Sequence, residues 1–449
     1  MAPITLFFGA NSSGKSSIGQ FLMMLKQTME SSDRRAVFSP GSINSAVQLG
    51  SYQEMVYQRD LGNTIIFKYE WKLSELLKFK DVLSGKNYTA DQMGFSATVG
   101  LEDVHSRKMY VDRLQYILSQ ESESLLSIVM ERKAGKKREY HVEAEKYPLK
   151  LNPGHPWHRA APVRFYGFPD EVVAYHKNAE FVQNLNLQHE TLFKSLFYLG
   201  PLRTRTGRLY SWSGIRPADV GFSGENTVAA ILASRGRKVN LGYAKLRKPL
   251  EEIVAQSLKR MGLIDDLSVN PISEQRQEYE VKLRTKGSEV WVDLPDVGFG
   301  ISQVLPVLVQ CFYAPPESII IIEQPEIHLH PSAQSALADV MLDVINSRED
   351  GEDRNIQLII ETHSEHFLRR LQRRIAEGIV PREKVSAYFA DIAKTPASLE
   401  TLQIDTFGNI QNWPEDFFGD EMGDITAQAK AAMGKRISQN TSREDTPNG

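Results

Sequence analysis

The stretch ITLFFGANSSGKSS, residues Ile4 to Ser17, decides the fold. Five β-favouring residues, Ile4 to Phe8, lead into a loop with glycines at Gly9 and Gly14, then Lys15 and Ser16, the spacing G-x-x-x-x-G-K-[ST]. From Ser17 to Met29 the apolar residues Ile18, Phe21, Leu22 and Leu25 recur at helical spacing. Strand, glycine loop and helix follow in the order of a phosphate cradle, where backbone N–H groups and a helix N-terminus draw in phosphate oxygens. The expected cradle is Gly9, Ala10, Asn11, Ser12, Ser13, Gly14, Lys15, Ser16 and Ser17. Lys15 would reach the β- and γ-phosphates of a nucleotide, and the Ser16 hydroxyl would ligate magnesium. The bland alternative is a glycine–serine turn before an ordinary helix, and the flanking elements argue against it.

Working outward, the 449-residue chain is long enough for a large core and more than one lobe. Its net charge of −3 sets up no global field toward nucleic acid or membrane, so any such contact must come from a local patch. The single cysteine, Cys311, lies in the apolar run VLPVLVQCFY and reads as a core residue. Without a partner thiol there is no internal disulfide, which points to a cytoplasmic setting. The opening MAPITLFFGA lacks the basic start of a signal peptide, and no apolar run approaches membrane-spanning length.

Three further stretches carry chemistry. In DVGFGISQVLPVLVQCFY a turn with Gly298 and Gly300 precedes Ser302, read as a helix N-cap, and then an apolar helix. In IIIIEQPEIHLHP, residues 319–331, four isoleucines form a strand buried on both faces that ends at Glu323, a position suited to magnesium. In NIQLIIETHSEHFLRRL a second buried strand, Gln357 to Ile360, leads to Thr362 and His363, placed where α/β sheets bind ligands. His328, His330, His363 and His366 also have spacings that zinc sites use, which makes zinc a rival reading.

The order of phosphate loop, long insertion, glycine–serine turn, acidic strand end and strand-end histidine resembles the ATP-binding-cassette (ABC) class of P-loop ATPases. Within that class it is similar to the branch of RecF-like, Rad50-like and overcoming-lysogenization-defect ATPases, and most of all to AAA-like ATPase subunits of bacterial anti-phage defence systems, which carry the same PEIHLHP type of run. The resemblance covers Ile4 to Met29 and Asp296 to Arg374, and more loosely FYLGPLRTRTGRLYSW and FGNIQNWPEDFFGDEMGD. It implies ATP and Mg²⁺ as cofactors and ATP sandwiched between two copies, with Gly9 to Ser16 of one facing Gly298, Gly300 and Ser302 of the other. It places His330 in the subunit-facing loop and His363 at the γ-phosphate. The family's usual signature puts its serine before two glycines, whereas here the glycines come first. Where a catalytic glutamate usually follows the acidic residue, this chain has Gln324. Either Glu326 supplies the missing base or Gln324 only orients the water, and both leave hydrolysis slow.

The expected fold is an α/β P-loop NTPase of ABC-ATPase head type: a mixed sheet with helices plus an antiparallel β lobe, with an α/β insertion and no long coiled coil. The expected divisions are 1–70 for the first part of the head, 71–195 for the β-rich lobe and 196–290 for the α/β insertion. The rest divides into 291–400 for the second part of the head, 401–425 for a C-terminal cap and 426–449 for a polar tail without fixed structure. The insertion includes a hairpin with a basic turn, Lys133 to Arg138, and an amphipathic helix bearing Leu246, Leu250, Ile253, Val254, Leu258 and Met261, with Pro249 marking its start.

Arg203, Arg205 and Arg208, and the run Arg369, Arg370, Arg373 and Arg374, could meet nucleic acid or a protein partner, or be solvated surface. Asp391 and Asp405, expected on strands, lack the paired D-x-D of a nuclease metal site. Effector chemistry is therefore expected on a separately encoded protein, with this chain as its ATP-driven sensor or motor. The rivals are a RecF-like DNA-repair ATPase, marked by ATP-dependent duplex binding, and a non-hydrolysing scaffold, marked by lack of turnover.

Overall fold

Why the four isoleucines are buried on both sides is plain from the sheet they occupy. In a computed structural model, which describes residues 1–103, 107–133, 139–154, 161–273, 276–391, 396–414, 417, 426–433 and 435, the strand Ile319–Glu323 is interior to a six-stranded sheet. Across that sheet lie Ser398–Leu402, Val385–Asp391, Ile4–Gly9, Gln357–Glu361, Ile319–Glu323 and Leu196–Leu199. The last five run parallel, and Ser398–Leu402 closes the edge antiparallel. Parallel strands need cover on both faces, hence their near-continuous apolar sequences.

Alternate side chains serve two cores. Ile4, Leu6, Phe8, Ile320, Ile322, Leu358 and Ile360 join the core containing helices Phe299–Tyr313 and Pro331–Ile345. Phe7, Ile321 and Ile359 join the other, with helices Lys15–Glu30 and Phe181–Lys194 and the β lobe. The lobe is a five-stranded antiparallel meander of Ile65–Lys80, Asn87–Asp103, Lys108–Gln120, Glu123–Arg132 and Tyr140–Glu145. At its centre the His189 ring is fully buried between two hydroxyls, with Tyr69 on Nε2 at 2.8 Å and Tyr116 on Nδ1 at 2.9 Å. Tyr116 gives its one hydroxyl proton to the Tyr166 carbonyl at 3.0 Å. Nδ1 therefore carries the imidazole proton, and Nε2 accepts from Tyr69.

The architecture is the expected α/β one: a mixed sheet with helices, an antiparallel lobe and an α/β insertion. Its finer divisions fall differently from the sequence boundaries. The strand Ile65–Lys80 crosses the division between 70 and 71, because its alternation runs on from Ile65 to Ser74 before the pairing shifts register between Lys72 and Leu77. Trp291–Asp293 pairs with Glu278–Thr285 and so joins the insertion's small sheet across the 290/291 division. Ser398–Leu402 crosses the division between 400 and 401. The amphipathic helix is Leu250–Arg260 with Pro249 as N-cap, and Leu246 lies outside it, exposed. Asp405 sits in a tight turn, accepting from the N–H groups of Phe407 and Asn409, and not on a strand. In the segment read as a structureless tail, residues 426–433 are helical and exposed, while 434 and 436–449 lie outside the described residues, as do 134–138 of the basic turn. No helix among the described residues is long and apolar enough to cross a membrane.

Candidate functional site

The C-terminal ends of the parallel strands gather the residues singled out from sequence. The first strand ends at Gly9, whose φ of 141° is open to glycine; a Cβ there would come 2.6 Å from the Ala390 carbonyl oxygen. Gly14, with φ 88°, caps the helix beginning at Lys15. Ala10, Asn11, Ser12, Gly14 and Ser17 are exposed, Ser16 is half-buried, and Ser13 is buried with its hydroxyl unpartnered. The Lys15 ammonium folds back under the loop, donating to the Gly9 carbonyl at 3.0 Å and the Ala10 carbonyl at 2.7 Å. Burial lowers its pKa, and the Glu361 charge works against that shift. The loop has the strand–turn–helix geometry expected of a cradle, with its lysine bonded to the Gly9 and Ala10 carbonyls.

Glu323 ends its strand buried. Tyr198 donates its hydroxyl to Glu323 Oε1 at 2.8 Å, and both terminal nitrogens of Arg203 donate to the Glu323 carbonyl at 3.0 Å. Burial pushes the Glu323 carboxyl up to about 7; the Tyr198 bond opposes the shift, and the neighbouring Glu361 adds to it. Glu361, in register with Glu323 on the next strand, is buried as well.

The turn after Glu323 explains the next four residues. Gln324 adopts a left-handed φ of 47° and donates its N–H to the Glu361 carbonyl at 2.8 Å. That reverses the chain and leaves the Gln324 side chain half-exposed at the strand ends. Glu326 is buried, with Oε1 accepting the His363 N–H at 2.8 Å. Burial raises the Glu326 pKa, and the hydrogen bond from His363 opposes it. Glu326 thus supports the histidine turn from beneath. The exposed His363 has a lowered pKa, first from partial burial and then from the Lys15 charge. His330 caps the helix Pro331–Ile345 through Nδ1, His366 is exposed, and among the described residues no group of three or more His, Cys, Asp or Glu could hold a metal.

The glycine–serine turn differs from expectation in detail. The helix begins at Phe299 with Gly298 as N-cap, so Ser302 is inside the first turn, donating to the Phe299 carbonyl at 2.8 Å. Gly300 packs against the PEIHLHP turn: a Cβ there would meet the His328 carbonyl oxygen at 2.8 Å. Ser302 lines a small cavity with Thr204, Arg205, Gly224, Leu305 and Pro306, to which no phosphate-loop residue contributes. Gly298 has open space beside it, and Phe299 is exposed.

The arginines divide. Arg203 is buried on Glu323 and cannot reach nucleic acid, because its fork is consumed inside the site. Arg205 is exposed. Arg369 pairs with Glu365 and lies over the Trp413 ring, Arg373 pairs with Glu377, and Arg370 and Arg374 grip Asp339. The residues that sequence reasoning missed are Tyr198 and Glu361. Tyr198 was hidden in FYLGPLR, and Glu361 could have been found by setting the ends of the two buried strands side by side.

The phosphate loop, acidic strand end and strand-end histidine lie together on contiguous parallel strands, the arrangement of a P-loop nucleotide-binding fold. The chain belongs to the AAA domain family described as "putative AbiEii toxin, Type IV TA system", whose profile matches residues 4–369. Residues 380–428 match a second family, "Protein of unknown function (DUF3696)". No curated protein matches the chain. Among solved structures it is similar to the SMC head domain from Thermotoga maritima (8% identity, TM-score 0.35, 89% of this chain and 90% of that one). A second is the Smc head domain with an extended coiled coil bound to the C-terminal domain of ScpA derived from Pyrococcus furiosus (8% identity, TM-score 0.37, 90% of each chain). The family follows from the profile match alone.

Proposed function

We propose that the chain binds ATP with Mg²⁺ at the Gly9–Ser17 loop, hydrolyses it slowly, and closes with a second copy around the nucleotide. The observation that carries this reading is the convergence of Lys15, Glu323 and His363 at the ends of three adjacent parallel strands. The donor set suits the ligands. Lys15 is bonded only to loop carbonyls, the Ser13 hydroxyl is sealed without a partner, and a helix N-terminus faces the loop. Ser16 and Glu323 would hold Mg²⁺, whose role is to neutralise charge on the β- and γ-phosphates.

Slow turnover follows from Gln324, an amide where a base is needed, and from Glu326 being bonded to the His363 N–H. An enzyme that lingers in its ATP state suits a sensor. The family's description names a putative toxin of a Type IV system, in keeping with a defence role; the role we propose is cytoplasmic and anti-phage, with a separately encoded nuclease or toxin as the effector. The decisive experiment measures ATP turnover and ATP-dependent dimerisation of purified protein beside Lys15→Ala. Slow turnover and dimerisation, both lost in the variant, are expected. ATP-dependent dimers without turnover would leave a scaffold instead.

A further inference from the structure

Glu361 is the one strand-end carboxylate in this site to which the proposed reading gives no task. It ends the strand lying between the phosphate-loop strand and the acidic strand, paired with Phe7 on one side and Glu323 on the other. Strands so paired are about 4.8 Å apart, and in-register side chains leave on the same face. Ile321 and Ile359, two residues before Glu323 and Glu361, lie in the core against helix Lys15–Glu30, and Gly19 of that helix backs directly onto Ile321. Both carboxylates therefore point to the face covered by the helix that starts with Lys15 and Ser16.

This pairing is unfavourable as it stands. Glu361 is only 8% exposed, and its Oε2 is sealed from solvent without a hydrogen-bond partner. Lys15 is near enough to feel its charge, yet gives its hydrogen bonds to Gly9 and Ala10. Glu323 at least has the Tyr198 hydroxyl. Two buried carboxylates side by side, one with an idle oxygen, make an arrangement that a small divalent cation relieves and that a protein seldom keeps without one. The Glu361 carbonyl also accepts the Gln324 N–H at 2.8 Å, so the same residue fixes the turn that carries Gln324.

We propose that the Glu361 carboxylate joins Ser16 and Glu323 in holding the divalent cation that enters with a nucleoside triphosphate. This deepens the ATPase reading and rests on it. The test titrates a fluorescent, non-hydrolysable ATP analogue onto the full chain across a range of Mg²⁺ concentrations and in chelator. Parent, Glu361→Gln and Lys15→Ala are compared, with thermal unfolding as the check on folding. Glu361→Gln should raise the Mg²⁺ concentration for half-maximal binding roughly ten- to a hundred-fold. Binding in chelator should be unchanged or tighter, since a negative charge near the phosphates has gone. A midpoint within twofold of the parent overturns the proposal. So does a variant that loses nucleotide equally with and without Mg²⁺, which would make Glu361 a partner of Lys15 only. If the parent shows no Mg²⁺ dependence, or Lys15→Ala binds as tightly as the parent, the ATPase reading itself fails, whatever Glu361→Gln does. Should Glu361→Gln not fold, Glu361→Asp takes its place, with a smaller shift expected and an unchanged midpoint equally fatal.

Discussion

Tyr198 and Glu323 stand on neighbouring strands, and the tyrosine hydroxyl donates to Oε1 of the carboxylate at 2.8 Å. Burial pushes this acid up to about 7, so both its protonated and its ionised forms are populated near neutral pH, and a cation would favour the ionised one. Tyr198→Phe removes a bond that favours the ionised form, so the Glu323 pKa should climb further. A hydrogen bond to a charged group is worth about 1.5–3 kcal/mol, so Mg²⁺-dependent nucleotide binding at pH 7 should weaken about tenfold or more. The deficit should shrink as pH rises past 8, because Glu323 then ionises in the variant too. A pH-independent deficit would mean that the tyrosine acts on something other than this carboxylate.

Arg203 gives a second test, because its fork ends on the Glu323 carbonyl. Arg203→Ala leaves that carbonyl without its donors and removes a buried stem. Losing a buried partner costs about 1–3 kcal/mol. The expected result is a lower unfolding midpoint and impaired nucleotide binding. Affinity for DNA or RNA should keep the salt dependence of the parent. A reduced salt slope would return Arg203 to the nucleic-acid role that its burial excludes.

Much of this site could be read from the chain, and the misses have physical causes. The cradle Gly9 to Ser17, the ends at Glu323 and His363 and the two buried strands were legible because each is local: one apolar run, one breaker, one polar residue. Ser302 was misplaced by four positions relative to its helix, because Phe299 and Gly300 can begin a helix as readily as a turn. Arg203 looked like a surface residue, since nothing local announces that its loop folds over the end of the acidic strand. The pairing of Glu323 with Glu361 depends on sheet register, which links residues far apart in the chain and leaves no periodic trace.

The β lobe should respond to acid through His189. Its imidazole is buried between Tyr69 and Tyr116, with its pKa well below the usual 6.5. The folded pKa is thus lower than the unfolded one, and the unfolded state binds the extra proton. Stability should be flat above about pH 7 and fall as pH drops below 6.5, by at most about 1.4 kcal/mol per pH unit. His189→Gln should be less stable at pH 8 but lose most of this slope. His176, whose pKa is also lowered by burial, should leave a smaller slope of the same sign. Melting curves from pH 5 to 8 that ran parallel for parent and variant would contradict this.

Dimerisation can be tested at Gly298 with little risk to the fold. A Cβ there meets nothing within 4 Å, whereas Ser302 is engaged with the Phe299 carbonyl. Gly298→Arg should bind ATP as the parent does but fail to dimerise with it, as read by light scattering. Normal ATP-dependent dimers would show that this helix start does not face a partner.

The last prediction concerns Gln324. Its backbone is held in the left-handed region, with φ 47° and its N–H on the Glu361 carbonyl. Glutamine and glutamate pay a similar steric penalty there, so Gln324→Glu should fold like the parent. The new carboxylate would occupy the position from which an amide can only orient water. General-base catalysis contributes on the order of 10²- to 10⁴-fold, and even the lower figure would be plain in a steady-state assay. Glu326→Gln makes the contrast. Its Oε1 receives the His363 N–H at 2.8 Å, a bond that glutamine can keep through its carbonyl oxygen. If Glu326 only positions the histidine turn, Glu326→Gln should change turnover by no more than a few-fold. If Glu326 is itself the base, the loss should be a hundred-fold or greater, and Gln324→Glu should restore activity in the double variant. Fast hydrolysis by the parent, indifferent to both changes, would exclude both residues and turn attention to Glu361 and His363.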